Sequence, residues 1–262
     1  MEHGTIVYYY PVKESAGESC VAKKHWWQAA RLMPFYLSQE NGFSQSVPEQ
    51  RICEDDERDL HICVCPVPVF YYKKRSWNPQ ALCEAMETVL YQTEGMTDTC
   101  LASGVEKLLP EEKRPRWHPR METLKQLTAQ QLAQKKKEQG GYFDKAVVRL
   151  GNGQDAEWQM EMTWELLQPY LEKINQCVIW YNPTPGIDIR EELSVFLDDY
   201  YYEYGLVAET REYGTVHSLS AASREQAQSH ELCLDFRKDN LYRSALKYLD
   251  TMVKNRYYKL VK

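Results

Sequence analysis

The residue order predicts an α/β protein. Strand-like and helix-like segments alternate through residues 145–212, turn residues punctuate them, and apolar positions recur at two-residue spacing in some segments and helical spacing in others. The expected elements there are a strand over 145–150, a helix over 156–174, a strand over 176–181, a helix over 188–204 and a strand over 206–212. Strands separated by helices argue for a parallel sheet joined by right-handed crossovers.

Composition is compatible with that class. A chain of 262 residues with 43% hydrophobic content can bury a sizeable core. The formal net charge of -6 opposes unspecific attraction to nucleic acid or to anionic membranes. No apolar run approaches the length that crosses a bilayer, and Met1-Glu2-His3-Gly4 lacks the basic start and apolar middle of a secretion signal. The expectation is a soluble cytoplasmic protein without a membrane partner. Cys20, Cys53, Cys63, Cys65, Cys83, Cys100, Cys177 and Cys233 form no compact disulfide framework, so reduced, mostly buried thiols are expected.

Taken in order, residues 5–12 read as a strand with Ile6, Tyr8 and Tyr10 on one face and Val7 and Tyr9 on the other. A helical stretch from 22 to about 38 contains Trp26, Trp27, Ala30 and Leu32, and Pro34 kinks or ends it. Residues 41–59 are polar and turn-rich. The segment 61–72 returns to strand character, and Pro66 and Pro68, which cannot donate ladder hydrogen bonds, place it at a sheet edge. Asn78-Pro79 then supplies a helix cap and first residue. Leu82, Ala85, Met86, Val89 and Leu90 follow at helical spacing as far as Gly95. Residues 109–119, charged and proline-rich, suit a connection. A further helix over 121–138 ends in Lys135, Lys136 and Lys137, whose charges favour a helix C-terminus, before Gly140-Gly141.

In the second half the buried stripe of the first crossover helix is read as Met160, Trp164, Leu167, Leu171 and Ile174, with Glu157, Glu161, Glu165 and Glu172 opposite and a bend at Pro169. The second crossover carries Asp188 and Glu191 at capping-box spacing and closes at Gly205. Residues 214–231 are polar and ambiguous, 232–236 is a strand candidate, and a last helix runs over 241–254. Together these segments predict a Rossmann-like, mostly parallel sheet flanked by helices over 141–262 and a mixed α/β region over 1–140, as two domains or one continuous unit.

In an open parallel sheet a ligand lies beyond the carboxyl ends of the strands, where strand order reverses. That rim gathers Gly151, Asn152, Gly153 and Asp155 from the first turn, Asn182, Thr184 and Asp188 from the second, and Asp235 and Arg237 from the last strand. Gly151-Asn152-Gly153-Gln154-Asp155-Ala156 has the spacing of a dinucleotide-binding turn. However, Asp155 and Glu157 occupy the helix N-terminus where a pyrophosphate would settle. Asn182 also stands where a nicotinamide site usually offers an acid. A turn before a charge-capped helix is the plainer reading.

Other chemistry is sparse. His61, Cys63 and Cys65 share a strand face but lack a fourth metal ligand, so no metal is assigned. Lys113, Arg114, Arg116, Trp117, His118 and Arg120 could hold single-stranded nucleic acid, although a solvated linker is the stronger reading. Tyr200, Tyr201, Tyr202 and Tyr204 could form a surface for a protein partner or for self-association, or equally pack against the N-terminal half. No nucleophile elbow, phosphate-binding lysine loop or zinc-protease motif is present, and no cofactor is specified. The residues therefore point to a non-catalytic binding or protein-interaction module. The alternative is an enzyme acting on a nucleotide or other small anionic ligand at the strand-end crevice, with Asn152, Asp155, Asn182 and Asp235 around it and Arg237 neutralising substrate charge.

Overall fold

The computed structural model describes residues 5–12, 32, 35–38, 42–44, 61–69, 79–93, 97–140, 143–151, 155–182, 207–213 and 231–260. Two mostly parallel sheets with helices make the protein α/β. The chain divides into two compact units, one of residues 1–126 with 246–262 and the other of residues 127–245.

The first unit holds β1 (Thr5–Val12), β2 (Phe35–Ser38), β3 (Gly42–Ser44), β4 (His61–Pro68) and β5 (Thr97–Leu101) in the order β3-β2-β4-β1-β5. β1 pairs parallel with β4 and β5, while β2 runs antiparallel to both β4 and β3. As the inner parallel strand, β1 is covered on both faces, and Ile6, Val7, Tyr8 and Tyr9 are all buried. Val7 and Tyr9 join Cys63, Cys65, Val67 and Leu101 in one core. Helix α1 (Pro79–Gln92) packs Leu82, Met86 and Val89 onto that core, with Ala85 and Leu90 partly buried against it. The expected spacing is therefore the spacing the helix uses. On the other face Tyr8 donates its hydroxyl to Asp250.

Three expectations for this half are corrected. Residues 35–38 form β2 rather than the tail of a helix; beyond Pro34 the backbone is paired with β4 and β3. The rest of that expected helix, Leu32 apart, lies outside the described residues, as do most of residues 41–59. β4 is interior, not an edge. Its prolines are tolerated because β2 reaches only Val64, so beyond that point one flank of β4 faces no strand among the described residues. Finally, the proline-rich connection, which follows a short helix α2 (Ser103–Glu106), contains a 3₁₀ helix over Glu111–Trp117 and is docked rather than solvated. Trp117 is 1% exposed, with its ring edge-on to Tyr9 at 6.0 Å between centroids. Helix α3 (Met121–Glu138) then runs to Gly140, whose φ of 75° is the left-handed geometry that ends a helix.

The second unit holds β6 (Phe143–Arg149), β7 (Ile174–Tyr181), β8 (Val207–Glu212) and β9 (Glu231–Asp235), all parallel, in the order β8-β7-β6-β9. Winding proceeds from β6 to β7 to β8 and then returns to the far side of β6. The reversal therefore falls between β6 and β9. Helix α4 (Ala156–Leu167) and a 3₁₀ turn over Gln168–Lys173 link β6 to β7, the change of helix type falling beside Pro169. The buried side of α4 differs from the expected stripe. Leu167, Leu171 and Ile174 of that stripe are buried and Glu161, Glu165 and Glu172 opposite are exposed, but in the first turns Gln159, Met162, Thr163 and Leu166 are buried while Met160 and Trp164 are only half-buried. Two polar residues can face the core because each is paired: the Thr163 hydroxyl donates to the Gln159 carbonyl at 2.7 Å, and the Gln159 side chain serves the turn described below. The expected helix over 188–204 and the segment 214–230 lie outside the described residues. The chain continues through α5 (Asn240–Leu260), on which Ala245, Leu249 and Val253 are buried.

Candidate functional site

Alternation along the strands of the second unit produces two unlike faces. Ala146 and Val148 of β6 with Leu150 just past its end, Cys177 and Ile179 of β7, and Leu232 and Leu234 of β9 with Phe236 just past its end make an apolar face, and Trp158 of α4 meets Phe236 edge-on at 5.9 Å. The opposite face is charged towards the carboxyl ends of the strands. Register places Asp235, Arg149, Trp180 and Arg211 side by side across β9, β6, β7 and β8. One row nearer the strand starts lie Cys233, Val147, Val178 and Glu209, and Arg237 and Tyr213 stand past the strand ends.

Each charged member of this surface is oriented by a neighbour. Arg237 forks onto Asp235 through Nε–Oδ1 at 2.9 Å and Nη2–Oδ2 at 2.7 Å, and its backbone N–H donates to Oδ1 at 3.1 Å. Asn240 adds a side-chain donor to Oδ2 at 3.1 Å. Burial pushes the Asp235 carboxyl up, but the Arg237 hydrogen bonds and the charges of Arg237 and Arg149 outweigh it and hold the group below its ordinary range. Lys238, next in the turn, has φ 51°, a left-handed conformation uncommon outside glycine. The four hydrogen bonds to Asp235 help hold that turn.

Arg149 is buried, donates from Nη1 to Cys233 Sγ at 3.1 Å and lies 4.0 Å from Asp235 Oδ2. Arg211 forks onto Glu209 at 2.8 and 3.1 Å, and this hydrogen bonding is the main cause that lowers the Glu209 carboxyl. Among the described residues Arg149, Arg211 and Arg237 thus gather with Glu209 and Asp235 on one surface. The rings are layered between the cations. Trp180 stacks on Tyr213 with centroids 5.7 Å apart, Arg211 lies over Trp180 at 5.4 Å, and Arg237 lies over Tyr213 at 5.4 Å. Among the described residues neither Trp180 Nε1 nor Tyr213 Oη has a hydrogen-bond partner, although both atoms are buried.

Of the residues named from sequence, Gly151 and Asn182 are brought together at the ends of β6 and β7, where Asn182 Nδ2 donates to the Gly151 carbonyl at the long distance of 3.5 Å. Asp155 is exposed and its side chain makes no capping hydrogen bond. Asp235 and Arg237 are paired with each other. Asn152, Gly153, Thr184 and Asp188 lie outside the described residues, as do Tyr200, Tyr201, Tyr202 and Tyr204. Gly151 is required by close approach, since a Cβ there would stand 3.0 Å from the Phe236 carbonyl and from Gln159 Nε2. Its N–H donates to Gln159 Oε1 at 2.7 Å. Replacing Gln159 with leucine should strand that N–H and cost about 1–3 kcal/mol, read from the urea midpoint at unchanged slope.

Arg149, Trp180, Tyr213 and Gln159 were missed by sequence reasoning. Arg149 did leave a signal, as a lone charge in the apolar run Ala146-Val147-Val148-Arg149-Leu150. The aromatic pair left none, because its meaning depends on register.

The other candidate chemistries fare differently. Burial pushes the Cys63 thiol up to about 12 and raises that of Cys65 well above its ordinary range, so both stay protonated at neutral pH, and the His61 side chain lies outside the described residues. No group of three His, Cys, Asp or Glu side chains that could hold a metal occurs among the described residues. In the basic cluster, Trp117 is committed to the core and cannot stack on a base. Arg116 pairs with Glu87 at 2.7 Å and Lys113 donates to Gln80 at 2.8 Å. Among the described residues no helix is long and apolar enough to cross a membrane. Comparison with protein-family models, curated proteins and solved structures finds no match to this chain.

Proposed function

We propose that the protein is a non-catalytic binding module for a small anionic ligand, held on the charged face of the second unit between the ends of β6 and β9. The observation that carries this reading is Arg149: a buried guanidinium on the strand pair where winding reverses, beside one carboxylate that it shares with Arg237. Two guanidiniums, one of them buried, are thereby gathered at one strand-end position in low-dielectric surroundings, where an incoming anion gains more than it would in water. We read the β8-β7-β6-β9 order as Rossmann-like, since in chain order it is 3-2-1-4. Six free cysteines among the described residues favour a cytoplasmic setting.

Thermal-shift measurements with nucleotides, dinucleotides, phosphate, small carboxylates and divalent cations test the reading. Anions should raise the melting temperature in proportion to the logarithm of concentration, about 2.7 kcal/mol at a hundred times Kd, and cations should not. Arg149→Met should abolish the anion response. A flat response to every anion, together with a concentration-dependent dimer, would replace this reading with a protein-interaction one.

A further inference from the structure

We propose that Trp180 Nε1–H and Tyr213 Oη–H are a paired donor site for one oxyanionic group, a carboxylate or a phosphate, of the ligand. The inference rests on the anion-binding reading above and names the part of the ligand that this corner takes. Trp180 is 1% exposed and Tyr213 8% exposed, and in both the polar atom is buried without a hydrogen-bond partner among the described residues. Native proteins pair nearly all such groups, because an unmet buried donor forfeits its hydration without return.

The chemistry of the two atoms is one-sided. An indole nitrogen can only donate. Burial pushes the Tyr213 phenol above its ordinary range, so it also carries its proton at neutral pH. Guanidiniums flank the pair: Arg237 lies over the Tyr213 ring and Arg211 over the Trp180 ring, each at 5.4 Å, and Arg149 stands opposite Trp180 in the register of β6 and β7. Both rings are also held in place, Trp180 beneath Arg211 and Tyr213 beneath Arg237, so little ordering is needed on binding.

Tyr213→Phe is the direct test, because it removes one oxygen and keeps the ring. Wild type, Tyr213→Phe, Trp180→Phe and Arg149→Met would each be titrated with inorganic phosphate and with acetate and followed by thermal shift. In the free protein Tyr213→Phe should melt at the same temperature as wild type or a few degrees higher, since it deletes an unmet donor. Its apparent affinity for the probe should fall about tenfold, one charge-assisted hydrogen bond being lost. Trp180→Phe, read for binding alone, should show a comparable loss. Phosphate and acetate run separately distinguish the two anion classes.

A Tyr213→Phe protein that melts several degrees lower, or that binds the probe as wild type does, overturns the donor assignment. Anion stabilisation lost in Arg149→Met but intact in both aromatic variants removes this inference while leaving the anion site standing. Wild type indifferent to phosphate and acetate removes both.

Discussion

Replacing Trp117 with alanine is expected to cost about 3–5 kcal/mol of folding stability. The indole is among the largest fully buried side chains, its edge-on contact with Tyr9 ties the 3₁₀ segment to the central strand of its sheet, and Arg116 lies over the ring at 5.4 Å. Tyr9 is itself fixed, donating its hydroxyl to the Met86 carbonyl of α1 at 2.9 Å. Removing the ring therefore opens a cavity between a strand, α1 and a proline-containing turn whose backbone has little freedom to collapse. Urea denaturation followed by circular dichroism measures the loss. A change below about 1 kcal/mol would mean that the ring sits in solvent and the basic segment is a linker.

Replacing Asp235 with alanine is the second large effect, about 3 kcal/mol. That figure is the low end of the range for breaking a buried pair, because Arg237 remains about a third exposed. The change leaves Arg237 without its fork, Arg149 without its nearby carboxylate and the turn at Lys238 without its acceptor. The pH dependence has a definite sign. The folded carboxyl is held below its ordinary value of 3.8, so its contribution is present above that pH and is lost as pH falls through the lower folded value. The stability gap between wild type and Asp235→Ala should therefore be constant from neutral pH down to about pH 4 and narrow at lower pH. Urea midpoints at several pH values read this directly. A gap that instead widened on acidification would show that Asp235 is not ionised and paired in the folded protein. The same variant should bind phosphate more tightly, since it removes a carboxylate that competes for both arginines.

Much of the fold was legible because its causes are local. The alternation in β1, the Pro79 start and apolar spacing of α1, the lysines and Gly140 that close α3, and the strand character of β6, β7, β8 and β9 all follow from residues a few positions apart. Failures came where a local rule met a non-local answer. Prolines argued for an edge, yet β4 is interior because β2 is too short to reach them. Bulk argued that Met160 and Trp164 face the core, yet Gln159 and Thr163 do, because their polar atoms find acceptors or donors there.

The site divides in the same way. Sequence alone determined that parallel strands would bring their carboxyl ends to one rim, and it named Gly151, Asn182, Asp235 and Arg237 among the residues there. Tertiary structure decided that Asp235, Arg149, Trp180 and Arg211 lie in one row and that Tyr213 completes it. The reason is physical. Period and capping are properties of a segment, whereas register is a property of two segments chosen by the packing of the whole sheet, and a one-residue slip would send every one of these side chains to the opposite face.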